Sequence, residues 1–228
     1  MLLSVRDLSA ILKAPEATVY RWIRDRGLPA REVSGHYRAH PVDFLEWLAD
    51  HPSPVDPRAL PTDGAEDGLP SLEAAILAGG VYPDLSGSTR QDALAALAER
   101  LPPISGLPAE DLRMLLLRRE SVGTTFLKEG IAVPSPRHPL IHSTAQSMLV
   151  VAFPSNLLVW NGSEFRVRVI FSLVTPTVRE HLRLLGRLIF ALHDSNFNSR
   201  IATRAAPDQI LAAARDLDHV TAREVAHR

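Results

Sequence analysis

The chain has 228 residues, 46% apolar and 22% charged, which permits a packed core, argues against global disorder and fits one or two domains. Its formal net charge is −1, so no overall basic field announces nucleic acid and charge must be read segment by segment. There is no cysteine, which excludes disulfides and thiolate metal sites and fits a reducing compartment.

The chain opens MLLSVRDLSA, with charges at Arg6 and Asp7 and no apolar run of signal-peptide length. Residues 4–13 place Val5, Leu8, Ile11 and Leu12 at helical spacing behind Ser4 as N-cap. A second helix, PEATVYRWIRDRG, is predicted to start at Pro15 and stop at Gly27. Val19, Trp22 and Ile23 form its inward face, and Thr18, Arg21 and Arg24 look outward. Two short helices joined by a tight turn are the helix-turn-helix pattern, whose second helix enters the DNA major groove. Two strands, Ala30 to Val33 and His36 to Ala39, then flank Ser34-Gly35 as a hairpin carrying Arg31, His36, Tyr37 and Arg38. A third helix, VDFLEWL, closes the unit with Phe44, Leu45, Trp47 and Leu48. From Lys13 to Arg38 there are six basic residues against three acidic, whereas residues 1–50 hold seven of each. Positive charge is thus concentrated in the second helix and the hairpin, where phosphate contacts would be wanted.

Over most of residues 2–49 this stretch resembles the excisionase and MerR-type winged helix-turn-helix module. The resemblance implies DNA as partner, with Thr18, Arg21 and Arg24 facing the major groove and Arg31 and Arg38 holding backbone phosphates. The same core can serve a small protein-binding adaptor that never touches DNA, which is the alternative reading. A module of about fifty residues buries little surface, and single modules bind DNA weakly, so a homodimer or support from a second domain is expected.

Residues 51–70, HPSPVDPRALPTDGAEDGLP, hold five prolines and two glycines among acidic residues and are read as a linker between domains spanning 1–50 and 71–228. Beyond it, helix and strand signals alternate. STRQDALAALAERL (88–101) opens with Ser88 and Gln91 at capping-box spacing, and LPAEDLRMLLLRRE (107–120) turns Leu112, Leu115 and Leu116 inward. Ile131 to Val133 is a short strand. MLVVAFPSNLLVW (148–160) is broken by Pro154, Ser155 and Asn156, so it reads as two strands rather than a membrane span of about 20 residues. FRVRVIFSLV (165–174) is a further strand, VREHLRLLGRLIFALH (178–193) a helix, and PDQILAAARDLD (207–218) a last helix. Arg179, Arg183 and Arg187 lie at i, i+4 and read as a solvated face. Mixed strands with helices on both sides describe a three-layer α/β domain. The expectation is a soluble, cytoplasmic protein with no membrane partner.

No P-loop, dinucleotide-binding or nucleophile-elbow signature occurs, and no cofactor is expected. His138 and His142 are four apart, but Pro139 lies between them, so no helix aligns them and no metal site is expected.

The order of elements from about 71 to 220 resembles the enzyme IIA domain of the fructose–mannitol class of the bacterial phosphotransferase system, including its nitrogen-regulatory relatives. In that family a helix ends in Arg-Glu, a Gly-x-Thr turn follows, and a short strand runs into Pro-His, whose histidine takes phosphate from a phosphocarrier protein. A second histidine follows a Ser-Pro or Thr-Pro turn. Here Arg119-Glu120, Gly123 and Thr125, Gly130 to Pro134, Thr175-Pro176 and His181-Leu182 match those features. Ser135 stands at the nucleophile position. The resemblance therefore implies a phosphate pocket of Arg119, Thr125 and His181 around a missing acceptor, and a phosphocarrier or other regulatory protein as possible partner. Phe126 and Lys128 also stand where the family usually has glycines.

Neutral imidazole is nucleophilic near pH 7 and its phosphorylated nitrogen leaves readily, whereas a serine hydroxyl is a weak nucleophile without a base. His138, three residues on and up to about 10 Å along an extended chain, is the fallback acceptor of an active phosphocarrier reading. The leading expectation is a bacterial DNA-binding regulator with a degenerate, non-phosphorylatable enzyme IIA-like sensory domain and no catalytic residue.

Overall fold

The computed structural model describes residues 2–41, 43, 44, 47, 71–101, 107–122, 126–127, 130–136, 146–160 and 166–226. The linker reading of 51–70 and most of the expected third helix lie outside them.

The first unit contains β1 (Leu3–Ser4), α1 (Val5–Ile11), α2 (Glu16–Asp25), β2 (Ala30–Val33) and β3 (His36–Ala39). Ser4 caps α1 as expected. Its Oγ accepts the Asp7 N–H at 3.2 Å, and its own N–H donates to the Asp7 carboxylate at 2.8 Å, closing a capping box. The Ser4 hydroxyl's hydrogen bond holds the Asp7 carboxyl below its ordinary value despite partial burial, and Arg38 and Arg6 add to this. Pro15 caps α2, and Gly27, at φ +66°, follows its C-cap Arg26. The strands form an antiparallel sheet in the order β1-β3-β2. Leu3, Val5, Leu8, Ile11, Val19, Leu28, Ala39, Phe44 and Trp47 are its buried core, and the Trp47 indole donates to the Arg26 carbonyl at 2.9 Å.

The second unit is the expected three-layer α/β domain. A five-stranded mixed sheet has the order β4-β7-β10-β6-β5. Its strands are β4 (Val81–Leu85), β5 (Phe126–Leu127), β6 (Ile131–Ala132), β7 (Met148–Pro154) and β10 (Val169–Val174), and β8 (Leu158–Val159) with β9 (Arg166–Val167) forms a separate ribbon. β4 runs parallel to β7 and β6 parallel to β10, while β7 with β10 and β5 with β6 are antiparallel.

Period-two alternation sorts the two faces of the central strands. Leu149, Val151, Phe153, Val169, Phe171 and Leu173 join one apolar cluster with α3 (Leu72–Gly79), α6 (Val178–His193), α7 (Ser195–Ala202) and α8 (Pro207–Ala226). Met148, Val150, Ala152, Ile170 and Val174 join another with α4 (Arg90–Arg100), α5 (Ala109–Val122) and the β8–β9 ribbon.

Several local expectations change. The cap of α4 is Thr89 with Asp92, one residue later than the Ser88–Gln91 pair, because the Asp92 carboxylate reaches back to the Thr89 N–H at 3.0 Å. The strand expected at 165–174 is two, β9 pairing with β8 and β10 with the central sheet. α3, β4, β5 and α7 were not foreseen. Arg187 is not simply solvated: it pairs with Asp218 at 3.3 Å.

Candidate functional site

β6 and β10 are parallel neighbours, so their C-terminal ends open on the same edge of the sheet. β7 is antiparallel to β10 and starts there, with Met148 opposite Val174. This edge gathers Ser135 after β6, Ser147 before β7, Thr175 after β10, and Glu180 and His181 in the first turn of α6. Ligands in open α/β sheets bind outside such strand ends.

The polar groups at this edge are mostly buried. Ser135 is 6% exposed, Ser147 2%, Thr175 6% and His181 7%. Their bonding follows from the prolines of the segment VPSP. Regular pairing of β6 to β10 ends at Ala132–Ile170, because Pro134 and Pro136 carry no N–H to continue a ladder. Side-chain hydroxyls take over. Ser172 Oγ donates to the Pro134 carbonyl at 2.7 Å, and Ser135 Oγ accepts the Leu173 N–H at 3.0 Å. Ser135 is thus bonded to the central strand and faces the sheet interior.

α6 begins under Thr177, whose Oγ1 accepts the Glu180 N–H at 3.1 Å. The Glu180 carboxylate accepts from the Ser147 hydroxyl, which ties the start of β7 to the helix carrying His181. Sequence reasoning missed Ser147, Ser172 and Glu180. The spacing of Thr177 and Glu180 is a helix-start signal that could have found the last of these.

Of the sequence-predicted pocket, Ser135 and His181 lie at this edge. Thr125 and His138 are outside the described residues, as is the side chain of Arg119. Its neighbour Glu120 is described. It is 3% exposed and accepts the Trp160 indole N–H at 2.9 Å, with the Arg90 guanidinium 3.9 Å away. A buried carboxylate without such partners would be strongly unfavourable.

In the first unit, Arg21 and Arg24 are exposed on α2 and Thr18 is half-buried. Arg31 is exposed and Arg38 half-buried, and the two are direct partners across β2 and β3. Cross-strand partners point to the same face of the ribbon, so both arginines share one side of the hairpin. Among the described residues no group of three or more acidic or histidine side chains could hold a metal, and no helix is long and apolar enough to cross a membrane.

A family model described as "Phosphoenolpyruvate-dependent sugar phosphotransferase system, EIIA 2" matches residues 78–216, and one described as "Helix-turn-helix domain" matches residues 2–52. Among curated relatives, the 2-O-alpha-mannosyl-D-glycerate-specific EIIABC component of Escherichia coli is 31% identical over 135 residues, covering 57% of this chain but only 20% of that one. A nitrogen regulatory protein of Bradyrhizobium diazoefficiens is 25% identical over 130 residues, covering 56% of this chain and 82% of that one. Among solved structures, the nitrogen regulatory protein IIA-Ntr of Neisseria meningitidis aligns with a TM-score of 0.50 at 22% identity, over 59% of this chain and 91% of that one. The IIA-mannitol protein of Escherichia coli, solved in complex with phosphorylated IIB-mannitol, aligns at 0.50 and 20% identity, over 60% of this chain and 94% of its own. These last two likenesses concern the fold. The model spanning 78–216 covers well over half of the sequence, so the chain belongs to the EIIA 2 family of the phosphoenolpyruvate-dependent sugar phosphotransferase system, with a helix-turn-helix domain at residues 2–52.

Proposed function

We propose that this is a DNA-binding regulator whose EIIA 2 domain no longer relays phosphate and instead senses by contact with a phosphocarrier or other regulatory protein. The observation that carries the second half is Ser135. At the position that the sequence resemblance assigns to the family's acceptor histidine, Ser135 is 6% exposed and its hydroxyl already accepts the Leu173 N–H, which supports this reading. A relay needs a group that attacks phosphorus, holds the phosphoryl group on nitrogen and releases it. Serine attacks poorly without a base, and its phosphate ester is a poor donor. The first half rests on the helix-turn-helix match and on exposed Arg21 and Arg24. The two parts are read as domains 1–50 and 71–228 around a linker, working as a homodimer, because one small module binds duplex weakly.

The test is incubation of the full chain with a phosphorylated phosphocarrier protein, followed by intact-mass measurement. No acid-labile phosphate is expected on the parent protein. Robust labelling that disappears in His138→Ala would overturn this reading and make the chain an active phosphocarrier through His138.

A further inference from the structure

The hairpin of the first unit has two chemically different faces, and they define what α2 can present to DNA. Pairing β2 with β3 in the register Arg31↔Arg38 and Glu32↔Tyr37 puts both arginines on one face and Tyr37 on the other. The Tyr37 face also carries Ala39, fully buried in the core, so it is the face turned toward the helices. There the Tyr37 ring meets the Tyr20 ring of α2 edge-on, with centroids 6.0 Å apart and planes at 73°. Tyr20 is nonetheless 41% exposed.

Helical geometry completes the picture. At about 100° per residue, Tyr20 lies about 40° from Arg24 around α2, on its i+4 neighbour's side, and Arg24 lies about 60° from Arg21. Thr18 lies about 120° from Arg24 and is half-buried. The exposed surface of α2 comprises Glu16, Ala17, Tyr20, Arg21, Arg24 and Asp25, with Arg24 and Arg21 on one side of Tyr20 and Glu16 one turn before it. It combines two cations and two carboxylates with one aromatic ring that Tyr37 meets edge-on, and the two cations lie between that ring and Asp25. Aromatic pairs in this geometry contribute about 0.5–1.5 kcal/mol beyond burial, enough to favour one rotamer of a half-exposed ring. A tyrosine hydroxyl held beside cations on such a helix has the chemistry of a phosphate contact, and such contacts set register on the duplex.

We propose that Tyr20 contacts the DNA backbone through its hydroxyl, donating to a phosphate oxygen at the edge of the major groove, with Tyr37 as the positioning residue that holds its ring. The inference rests on the DNA-binding reading above and deepens it. Fluorescence anisotropy with a labelled duplex pool of randomised sequence, titrated at several salt concentrations with the full chain, separates the two. A neutral donor displaces no counterion, so Tyr20→Phe should weaken binding about five-fold, roughly one hydrogen bond, at every salt concentration with an unchanged salt slope. Tyr20→Ala, which also loses the ring, should weaken it further. Arg21→Ala with Arg24→Ala should weaken binding and flatten the slope. If both Tyr20 variants bind like the parent while the arginine variant is impaired, this proposal is wrong and the DNA reading stands. A Tyr20→Phe variant with a flattened slope would also overturn it, because the effect would then run through Arg24. A parent protein that binds no duplex overturns both. Thermal melting checks that each variant folds; if Tyr20→Ala does not, Tyr20→Phe decides alone, since it keeps the ring contact.

Discussion

Ser135 behaves as a substitute for backbone. Leu173 is fully buried, and its N–H finds the Ser135 hydroxyl at 3.0 Å in a stretch where the neighbouring strand is interrupted by prolines. Removing that oxygen leaves a buried donor unsatisfied, a cost of about 1–3 kcal/mol. Ser135→Ala is therefore expected to lower unfolding free energy by that amount in urea titrations with an unchanged slope, and stability equal to the parent would refute the assignment. The same residue shows what a sequence can disclose. Its place directly after the Gly130 to Pro134 run is what suggests it, by resemblance, as the family's acceptor position. Its bond to Leu173, thirty-eight positions away, follows only from the parallel packing of β6 on β10. Glu120 teaches the same lesson. The Arg119-Glu120 pair is visible as a helix end, but the Trp160 indole that satisfies its carboxylate comes from beyond β8.

α3 lies against the centre of the sheet, and its last residue determines how closely. A Cβ on Gly79 would stand 2.5 Å from the backbone carbonyl of Leu149 in β7, so helix and strand meet backbone to backbone. Alanine would gain about 1 kcal/mol of helix propensity. Overpacking against a rigid central strand costs about 1–3 kcal/mol, because no flexible side chain is there to yield. The clash is expected to win, so Gly79→Ala should melt several degrees below the parent in calorimetry; a melting temperature at or above the parent's would show that α3 can shift freely. The other end of α3 is held from far away in sequence. The Asp218 carboxylate accepts the Leu72 N–H at 3.0 Å and the Glu73 N–H at 2.9 Å, and it also pairs with Arg187. Arg215 grips Glu73 at 2.6 Å and holds its carboxyl below the ordinary value. This explains why α3 was illegible and α6 was not. LEAAILAG is apolar almost all round, as a helix packed between a sheet and α8 can be, so it offers no stripe to read. VREHLRLLGRLIFALH has a wet face and a dry one, and its period is plain.

At the scale of the whole chain, the decisive quantity is where charge sits, since the total is only −1. Six of the basic residues fall between Lys13 and Arg38 against three acidic ones, and the fold spreads them unevenly. Arg21 and Arg24 are exposed on one side of α2. Arg31 and Arg38 share the opposite face of the hairpin from Tyr37, and Arg38 lies close enough to Asp7 to depress its carboxyl. The four arginines are therefore not equivalent as proposed phosphate contacts. Each phosphate neutralised contributes about 0.9 to the slope of log affinity against log salt, whatever the DNA sequence. Arg21→Ala with Arg24→Ala should accordingly lower the slope by nearly two units. Arg38→Ala should lower it by less than one, because part of that guanidinium's charge is already answered by Asp7. Measured on the full chain across several salt concentrations, equal slopes for Arg38→Ala and for Arg24→Ala would mean that the hairpin face meets the backbone as directly as α2 does. A parent slope indistinguishable from zero would remove DNA from the account and leave the first unit as a protein-binding adaptor.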